Sequence, residues 1–289
     1  MSTALPPASQ TAPVQFDSLV GGATWHTVDF ISDLHLQASE MGTFAAWQQY
    51  MQTTPASALF ILGDLFEVWL GDDVLPAGDI DALSTSASNP FAFEARCAQA
   101  LYATAQRMPV FYISGNRDFL LGADFLARTH MQSLNDPTVL TLPQFHGQTY
   151  LLTHGDALCL DDVQYQAFRS LARNPAWQAG ILAKPLQERH ALARQLREQS
   201  EAGQAQRVQA GLGYSDVDQN AVTQWLQESG AQHMIHGHTH RPADHAVTGA
   251  TAGAQRYVMS DWEADAVPPR LQVLRVTAQG VRRLPLSAV

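Results

Sequence analysis

Five short apolar runs recur along the chain, and each of them stops at polar residues of types that bind metal ions. The runs cover residues 28–32, 58–62, 110–114, 149–153 and 233–235. Apolar runs of this length, bounded by Gly and Asp, predict buried strands. Ligands usually gather at the strand ends of an α/β sheet. The pattern therefore predicts five strand ends that contribute to one shared site.

Helical patterns alternate with these runs. They are centred on residues 40–52, 91–107 and 216–229. Alternating strand and helix patterns predict a layered α/β fold. Near the C-terminus three more strands are expected, at residues 256–259, 271–276 and 281–284. Ala278-Gln279-Gly280 lies between the last two and predicts a hairpin turn.

Composition excludes several classes of protein. The 289 residues are 46% hydrophobic and 15% charged, as in an ordinary globular protein. A net charge of −10 argues against a broad surface for nucleic acid. The two cysteines form no zinc motif or disulfide framework, which fits a reducing cytosol. We expect neither a signal peptide nor a membrane span, because no basic stretch precedes an apolar core and no apolar run approaches 18 residues.

Two stretches have the composition of loose polypeptide. Residues 1–24 are rich in Ala, Pro, Ser, Thr and Gln and are expected to form a disordered tail. Residues 76–90 have a similar composition and are expected to form a surface insertion. The domain organisation predicted is thus a tail at 1–24 and one folded domain at 25–289.

Residues 163–212, which we call the lid segment, interrupt the rhythm of strands. The segment has a helical pattern and contains 7 of the chain's 17 basic residues, with a local net charge of +4. A helix that begins at Pro185 places Leu186, Ala193 and Leu196 on one face together with Arg189. One interpretation is a solvated helical hairpin. The arginine within the apolar stripe favours the other, an anion-binding lid with apolar walls.

Each candidate metal ligand is weak evidence alone, because Asp64 could cap a helix and a single histidine such as His154 is more often structural. The joint pattern is more specific. Its members are Asp33, His35, Asp64, Asn116, His154, His238 and His240. Carboxylate, imidazole and amide ligands without thiolate suit Mn²⁺, Fe²⁺ or Zn²⁺. Seven ligands are too many for one tetrahedral ion and divide naturally between two ions that share a carboxylate.

This ordered pattern resembles the signature of the calcineurin-like metallophosphoesterases over roughly residues 26–265. The resemblance implies a sandwich of two central, mostly mixed β-sheets flanked by helices. It also implies two ions bridged by Asp64, with His236 left as a structural residue. One ion would be bound by Asp33, His35, Asp64 and His240, and the other by Asp64, Asn116, His154 and His238.

Arg117 narrows the expected reaction. Many phosphatases of this superfamily have a histidine here, which helps to protonate the leaving group. A guanidinium gives up no proton near neutral pH but binds phosphate oxygens bidentately. A phosphate leaving group needs no proton, since its second pKa is about 6. A pyrophosphate bond is therefore a better candidate than an alkyl phosphate.

Longer motifs resemble the UDP-2,3-diacylglucosamine diphosphatase family of lipid A biosynthesis. They begin at Ile31, Gly63, Gly115, His154 and Gly237. The resemblance implies two Mn²⁺ ions and a hydroxide bridging them that attacks the α-phosphorus of UDP-2,3-diacylglucosamine, giving UMP and lipid X. It implies catalytic roles for Asp64, Asn116 and Arg117. Implied contacts with the substrate are Asn116, Arg117, Asp162, Ser200, Gln204, Arg207 and His238.

The lid segment departs from that family's pattern. Gln204 and Arg207 stand where the family has Asn and Lys, and an arginine fork is not a point charge. Two alternatives stay open: a metallophosphoesterase acting on a soluble nucleotide pyrophosphate or phosphodiester, and a non-enzymatic scaffold. The resemblance implies a cytoplasmic protein in peripheral contact with the inner membrane, where its lipid substrate lies. It implies no protein partner.

Overall fold

Two six-stranded sheets form the centre of the molecule. The structure is a computed structural model that describes residues 14–85, 88–211, 213 and 215–289. The strands within those ranges are β1 (Asp17–Val20), β2 (Thr27–Ile31), β3 (Ala58–Leu62), β4 (Val110–Ile113), β5 (Gln132–Ser133), β6 (Thr138–Leu142), β7 (Gln148–Leu152), β8 (His233–His236), β9 (Ala243–Ala246), β10 (Gln255–Val258), β11 (Gln272–Thr277) and β12 (Gly280–Pro285). One sheet has the order β1-β6-β7-β8-β10-β9 and the other β12-β11-β2-β3-β4-β5.

Helices cover the outer faces of the sheets. They are α1 (Met41–Thr53), α2 (Ile80–Thr85), α3 (Ala92–Ala105), α4 (Ala123–Thr129), α5 (Val163–Ala172), α6 (Pro175–Leu182), α7 (Leu186–Gln209) and α8 (Gln219–Ser229). The predicted helices at 40–52, 91–107 and 216–229 correspond to α1, α3 and α8. Among the described residues, no helix is both long enough and apolar enough to cross a bilayer.

The two sheets pack face to face through aromatic and aliphatic side chains. Phe30, Phe60 and Phe111 stand on neighbouring strands of one sheet, with successive ring centroids 5.0 and 4.7 Å apart. They share one buried cluster with Tyr150 and Ile235 of the other sheet. Both sheets contain parallel and antiparallel pairs. The predicted sandwich of two mixed sheets flanked by helices is confirmed.

Parallel pairing aligns the strand ends that carry the candidate ligands. Strands β2, β3 and β4 are parallel neighbours, and β7 and β8 form a second parallel pair. Their carboxyl ends therefore meet at one edge of the sandwich. These strands are buried on both faces, which explains why their sequences are continuous apolar runs rather than alternations of apolar and polar residues.

Both stretches with the composition of loose polypeptide contain regular structure, and the expected boundary of the tail at residue 24 is wrong. Residues 17–20 of the predicted tail form β1, which pairs in parallel with β6, so the fold begins before residue 25. Residues 80–85 of the predicted surface insertion form α2, which packs on α3. In both places tertiary contacts outweigh a local composition typical of loops. The rest of the predicted tail, residues 1–13, lies outside the described residues.

The lid segment folds into α5, α6 and α7, as its helical pattern predicts. Asp162 caps α5 by accepting a hydrogen bond of 3.0 Å from the Tyr165 amide, and Asn174 caps α6 in the same way. Arg189 is buried on α7, but its partner is not an external anion: its guanidinium donates to both carboxylate oxygens of Asp73 and to the Leu70 carbonyl. Arg189 therefore does not support the interpretation of the lid segment as an anion-binding lid, because the Asp73 carboxylate of the same chain already neutralises it.

Other cations of the lid segment also pair with carboxylates elsewhere in the chain. Arg169 pairs with Asp156, Arg197 with Glu67, and Arg207 with Asp161. These carboxylates all lie outside the lid segment. The local charge of +4 in a protein of net charge −10 thus reflects docking of the helices onto the sandwich.

Gly71 sets how closely α6 and α7 approach the core. Its φ is +121°, and a Cβ there would lie 2.5 Å from Arg189 Nη1 and 2.6 Å from Leu182 Cδ2. We expect Gly71→Ala to lower the free energy of unfolding by about 1–3 kcal/mol, the usual cost of a non-glycine residue in such a backbone region, plus the cost of displacing Arg189. Gly78→Ala is the matched control, since Gly78 has φ +142° and no atom within 4 Å of that Cβ. Chemical denaturation checks the difference, and equal losses for both variants would contradict a packing role for Gly71.

Candidate metal centre and active site

The five strand ends bring the predicted ligands together at one edge of the sandwich. Asp33 and His35 follow β2, Asp64 follows β3, and Asn116 follows β4. His154 follows β7, and the pair His238 and His240 follows β8. Donor atoms of Asp33, His35 and His240 lie within 4.8 Å of one another, as do those of Asp33, Asp64 and His154.

Distances within the cluster fit two adjoining sets of donors. In the first, His35 Nε2 lies 3.2 Å from His240 Nε2, and His240 Nε2 lies 3.3 Å from Asp33 Oδ1. In the second, Asn116 Oδ1 lies 2.9 Å from His154 Nε2 and 3.0 Å from His238 Nδ1. These are the two groupings implied by the resemblance.

Asp64 lies between the two sets. Its Oδ2 is 3.9 Å from His35 Nε2 and 3.7 Å from His154 Nε2. That position suits the predicted bridging carboxylate. His236 stays outside the cluster, as expected: its Nδ1 contacts the Gly237 carbonyl at 2.8 Å and its Nε2 contacts Arg256 at 3.1 Å.

Five of the seven ligand candidates have a left-handed backbone. Their φ values range from 46° to 66°, at Asp33, His35, Asp64, His238 and His240. Only a few per cent of non-glycine residues adopt this conformation, with Asp, Asn and His enriched, and it is often found at functional sites. The ligands also fix one another's loops, because the His238 amide donates to Asp33 Oδ2 at 2.9 Å and the Arg117 amide donates to Asp64 Oδ1 at 2.8 Å.

Asp118 joins the loops after β3 and β4. This fully buried carboxylate accepts hydrogen bonds from the Leu65 amide at 2.7 Å and the Gly115 amide at 2.8 Å. Position 115 requires glycine because the Asp64 side chain and amide lie so close to it that a Cβ would collide with them. The short motif from Gly115 to Asp118 therefore holds Asp64 and Asn116 in a fixed relation.

The electrostatic field of the cluster favours cations. Burial alone would lower the pKa of His154, but the negative charges of Asp64, Asp156 and Asp33 raise it to about 9. A divalent ion would meet the same carboxylates. Three imidazole–carboxylate pairs at 3.3–3.9 Å and an all N/O donor set are what a borderline-hard ion requires. The residues present therefore fit a two-ion centre.

A large cavity of about 1090 Å³ separates this cluster from the lid segment. His35, Asp64 and Asn116 stand at its polar end, whereas Asp33 and His154 are fully buried beneath. All residues predicted to contact substrate line it, namely Asn116, Arg117, Asp162, Ser200, Gln204, Arg207 and His238. Apolar side chains also line the cavity and include Phe119, Leu120, Phe168, Trp177, Ile181, Leu192 and Leu196. Small-molecule sites usually occupy roughly 300–1,000 Å³, so this cavity suits a large amphipathic ligand.

Comparison with known proteins agrees with this geometry. The sequence model of the calcineurin-like phosphoesterases matches residues 26–242, which include all seven ligand candidates. The chain belongs to the calcineurin-like phosphoesterase family. A UDP-2,3-diacylglucosamine hydrolase from Chromobacterium violaceum is 43% identical over 90% of this chain and 99% of its own length. Another protein of that name, from Xanthomonas campestris pv. campestris, is 41% identical over 88% of this chain and 97% of its own length.

Calcineurin-like phosphoesterases use a dinuclear metal site, and the clustered donors are the candidates for it in this chain. Two groups at this centre were not predicted from the sequence. The first is Glu67, whose Oε2 lies 2.8 Å from His35 Nδ1 and whose Oε1 lies 3.8 Å from Arg117 Nη1. Burial alone would raise the pKa of Glu67, but contact with His35 and the charges of Arg117 and Arg197 bring it below its ordinary value. The group is therefore a carboxylate.

The second group consists of Asp156, which precedes α5, and the side chains of α5 that contact it. Asp156, fully buried, accepts hydrogen bonds from Tyr165 Oη at 2.6 Å and Arg169 Nε at 2.9 Å. Arg173 donates to the carbonyls of Ser114 and Gly115 at 2.9 and 3.0 Å, next to Asn116. Asp156 belongs to the sequence motif that begins at His154, and this motif was the signal in the sequence that Asp156 contributes to the centre. In this calcineurin-like phosphoesterase, α5 is therefore part of the catalytic framework as well as the base of the lid segment.

Proposed function

We propose that the protein hydrolyses the pyrophosphate bond of UDP-2,3-diacylglucosamine, giving UMP and 2,3-diacylglucosamine 1-phosphate in lipid A biosynthesis. The observation that carries the proposal is the single cavity that joins a phosphoesterase metal cluster to apolar walls of the lid segment. The relatives of that name, at 41–43% identity over about 90% of the chain, support the same substrate.

Two Mn²⁺ ions are the proposed cofactors. Asp33, His35, Asp64 and His240 would hold one, and Asp64, Asn116, His154 and His238 the other. When bound, the ions supply Lewis-acid activation of water and of phosphate oxygens. The donor set of carboxylate, imidazole and amide groups without thiolate suits Mn²⁺, Fe²⁺ or Zn²⁺. Among these, Mn²⁺ is proposed on the resemblance to the UDP-2,3-diacylglucosamine diphosphatase family.

Residues of the chain position the substrate for cleavage. Arg117 faces the cavity, 28% of its side chain is exposed, and its amide is anchored on Asp64. Its guanidinium binds phosphate oxygens and stabilises the charge that develops on them. Water adds its oxygen to the α-phosphorus, and the bond from that phosphorus to the bridging oxygen breaks. The bridging oxygen leaves on the sugar 1-phosphate, which needs no proton near neutral pH.

Purified protein should release UMP from UDP-2,3-diacylglucosamine, with activity lost on chelation and restored by Mn²⁺. UDP-glucose, which has the same uridine end but no acyl chains, tests the alternative that the substrate is a soluble nucleotide pyrophosphate. The proposal is wrong if UDP-glucose is cleaved at least as efficiently as the diacylated compound.

The apolar walls are expected to bind the acyl chains. We predict that the double variant Leu192→Ser/Leu196→Ser raises KM for the diacylated substrate at least about 10-fold, which corresponds to about 1.4 kcal/mol. Burying one leucine side chain contributes about 1.5–3 kcal/mol, so the loss of two buried leucines can account for a 10-fold increase in KM. Hydrolysis of bis(p-nitrophenyl) phosphate, which has no acyl chain, should be unchanged. Steady-state kinetics on both substrates provides the check.

Val208→Ser is the matched control for that variant. Val208 lies on the same helix but is 48% exposed and does not line the cavity. Equal losses on both substrates in a folded double variant would favour the soluble-nucleotide alternative. Point substitutions are preferred to deletion of the lid segment, since deletion would also remove Arg173 from the loop that carries Asn116.

A peripheral contact with the cytoplasmic face of the inner membrane is proposed to bring this enzyme to its lipid substrate. Its support is a group of exposed apolar side chains in and beside the lid segment: Leu160, Val163, Leu171 and Leu182. Electrostatic attraction contributes less than the sequence suggests, because several lid arginines are paired with carboxylates of the same chain.

A further inference from the structure

Glu67 connects the metal cluster to the lid segment. It follows β3, three residues after Asp64, and only 9% of it is exposed. One carboxylate oxygen lies 2.8 Å from His35 Nδ1, and the other is in direct contact with the Arg197 guanidinium of α7. A single buried group thus contacts a candidate ligand on one side and a lid arginine on the other.

The backbone holds Glu67 in fixed register with His35. The two segments run alongside each other: the His35 amide donates to the Asp64 carbonyl at 3.0 Å, and the Leu36 amide to the Leu65 carbonyl at 3.0 Å. The Glu67 amide then donates to the Leu36 carbonyl at 3.3 Å. Glu67 can therefore shift relative to His35 only if this ladder breaks.

The position of Glu67 suits control of the His35 ring. His35 Nε2 faces His240 and the rest of the cluster, so when Nε2 binds an ion, Nδ1 carries the ring proton. A partner at the second ring nitrogen of a histidine ligand fixes the tautomer and the ring orientation. At His154 the corresponding partner is a main-chain carbonyl, that of Leu62, 2.9 Å from Nδ1. At His35 the group beside Nδ1 is the Glu67 carboxylate, which also contacts the lid; the two atoms are at ion-pair distance rather than in an aligned hydrogen bond.

We propose that Glu67 is a positioning residue that orients His35 for its ion and, through Arg197, couples the seating of α7 to that orientation. The inference rests on the proposed function, since it takes His35 as a metal ligand. Loss of the carboxylate then has two linked effects: weaker binding of one ion and looser docking of the lid helix.

The first measurement is metal binding. Mn²⁺ is titrated into metal-free protein, and free Mn²⁺ is followed by electron paramagnetic resonance. We expect the parent to bind two ions and Glu67→Gln to bind one of them 10- to 100-fold more weakly, the usual effect of losing such an outer partner. Glu67→Asp should recover part of the affinity. Glu201→Gln is the matched control, because Glu201 also pairs with Arg197 but is exposed and, unlike Glu67, does not contact His35.

The second measurement is hydrogen–deuterium exchange of residues 186–209. Glu67→Gln and Arg197→Met should both accelerate exchange in α7, whereas Glu201→Gln should not. An unchanged affinity in Glu67→Gln would overturn the positioning role, and unchanged exchange would overturn the coupling to the lid. Failure of the proposed function would look different: the parent itself would bind fewer than two ions or release no UMP.

Discussion

Replacing Asp64 with Ala is expected to abolish hydrolysis, with a fall in turnover of about 10⁴-fold, the size of loss seen when one member of a catalytic unit is removed. Asp64 Oδ2 lies 3.9 Å from His35 and 3.7 Å from His154, between the two donor sets. Its removal should therefore weaken the binding of both ions rather than of one. Metal analysis of the variant should find fewer than two ions per chain.

Asp124→Ala is the control for this substitution. Asp124 is an exposed carboxylate in the first turn of α4, away from the cluster, and its loss should leave activity and metal content unchanged. Full activity with two bound ions in Asp64→Ala would contradict the bridging assignment. A misfolded variant is recognised by its circular dichroism spectrum, and Asp64→Asn then provides an isosteric replacement.

Arg117→Ala should lower turnover about 10²-fold, equivalent to about 3 kcal/mol, while metal content stays at the parent value. The guanidinium faces the cavity beside Asn116, and its charge is only partly offset by Glu67 at 3.8 Å. Because the interaction strengthens as charge develops on phosphate, the loss should fall on kcat more than on KM. Arg117→Lys should recover part of the rate, since lysine keeps the charge but not the bidentate geometry.

Arg282→Ala serves as the control for Arg117→Ala. Arg282 is exposed on β12 at the far edge of its sheet, and its removal should not change the rate. A parent-like rate in Arg117→Ala would show that the arginine does not stabilise the transition state, and the preference for a phosphate leaving group would then need another source.

The sequence predicted the buried part of the fold better than its edges. Strands β2, β3, β4, β7 and β8 are marked by apolar runs because they are buried on both faces. Strands β1 and β9, mostly exposed at opposite edges of one sheet, carry no such run and were not predicted. Their pairing depends on neighbours distant in sequence, and local composition does not encode it.

The candidate site shows a similar division. The ligand candidates could be predicted because each follows an apolar run within a few residues, and the structure brings them together at one edge of the sandwich. The partners of the lid arginines could not be predicted. Arg197 and Glu67 are 130 residues apart, and Arg189 and Asp73 are 116 apart. An arginine in an apolar stripe indicates a buried anionic partner, but whether that partner is a substrate or a carboxylate of the same chain depends on tertiary structure.

The left-handed backbone of the ligand residues limits which amino acids these positions can accept. Asp, Asn, His and Gly tolerate this conformation, whereas β-branched and bulky residues do not. At Asp33, His35, Asp64, His238 and His240 the residue types that donate to divalent ions are therefore also the ones that suit the chain path. Asn can replace Asp at these positions with little distortion of the loop. Asp-to-Asn variants consequently separate the loss of a charged donor from damage to the fold, and a longer carboxylate such as Glu would not make the same separation.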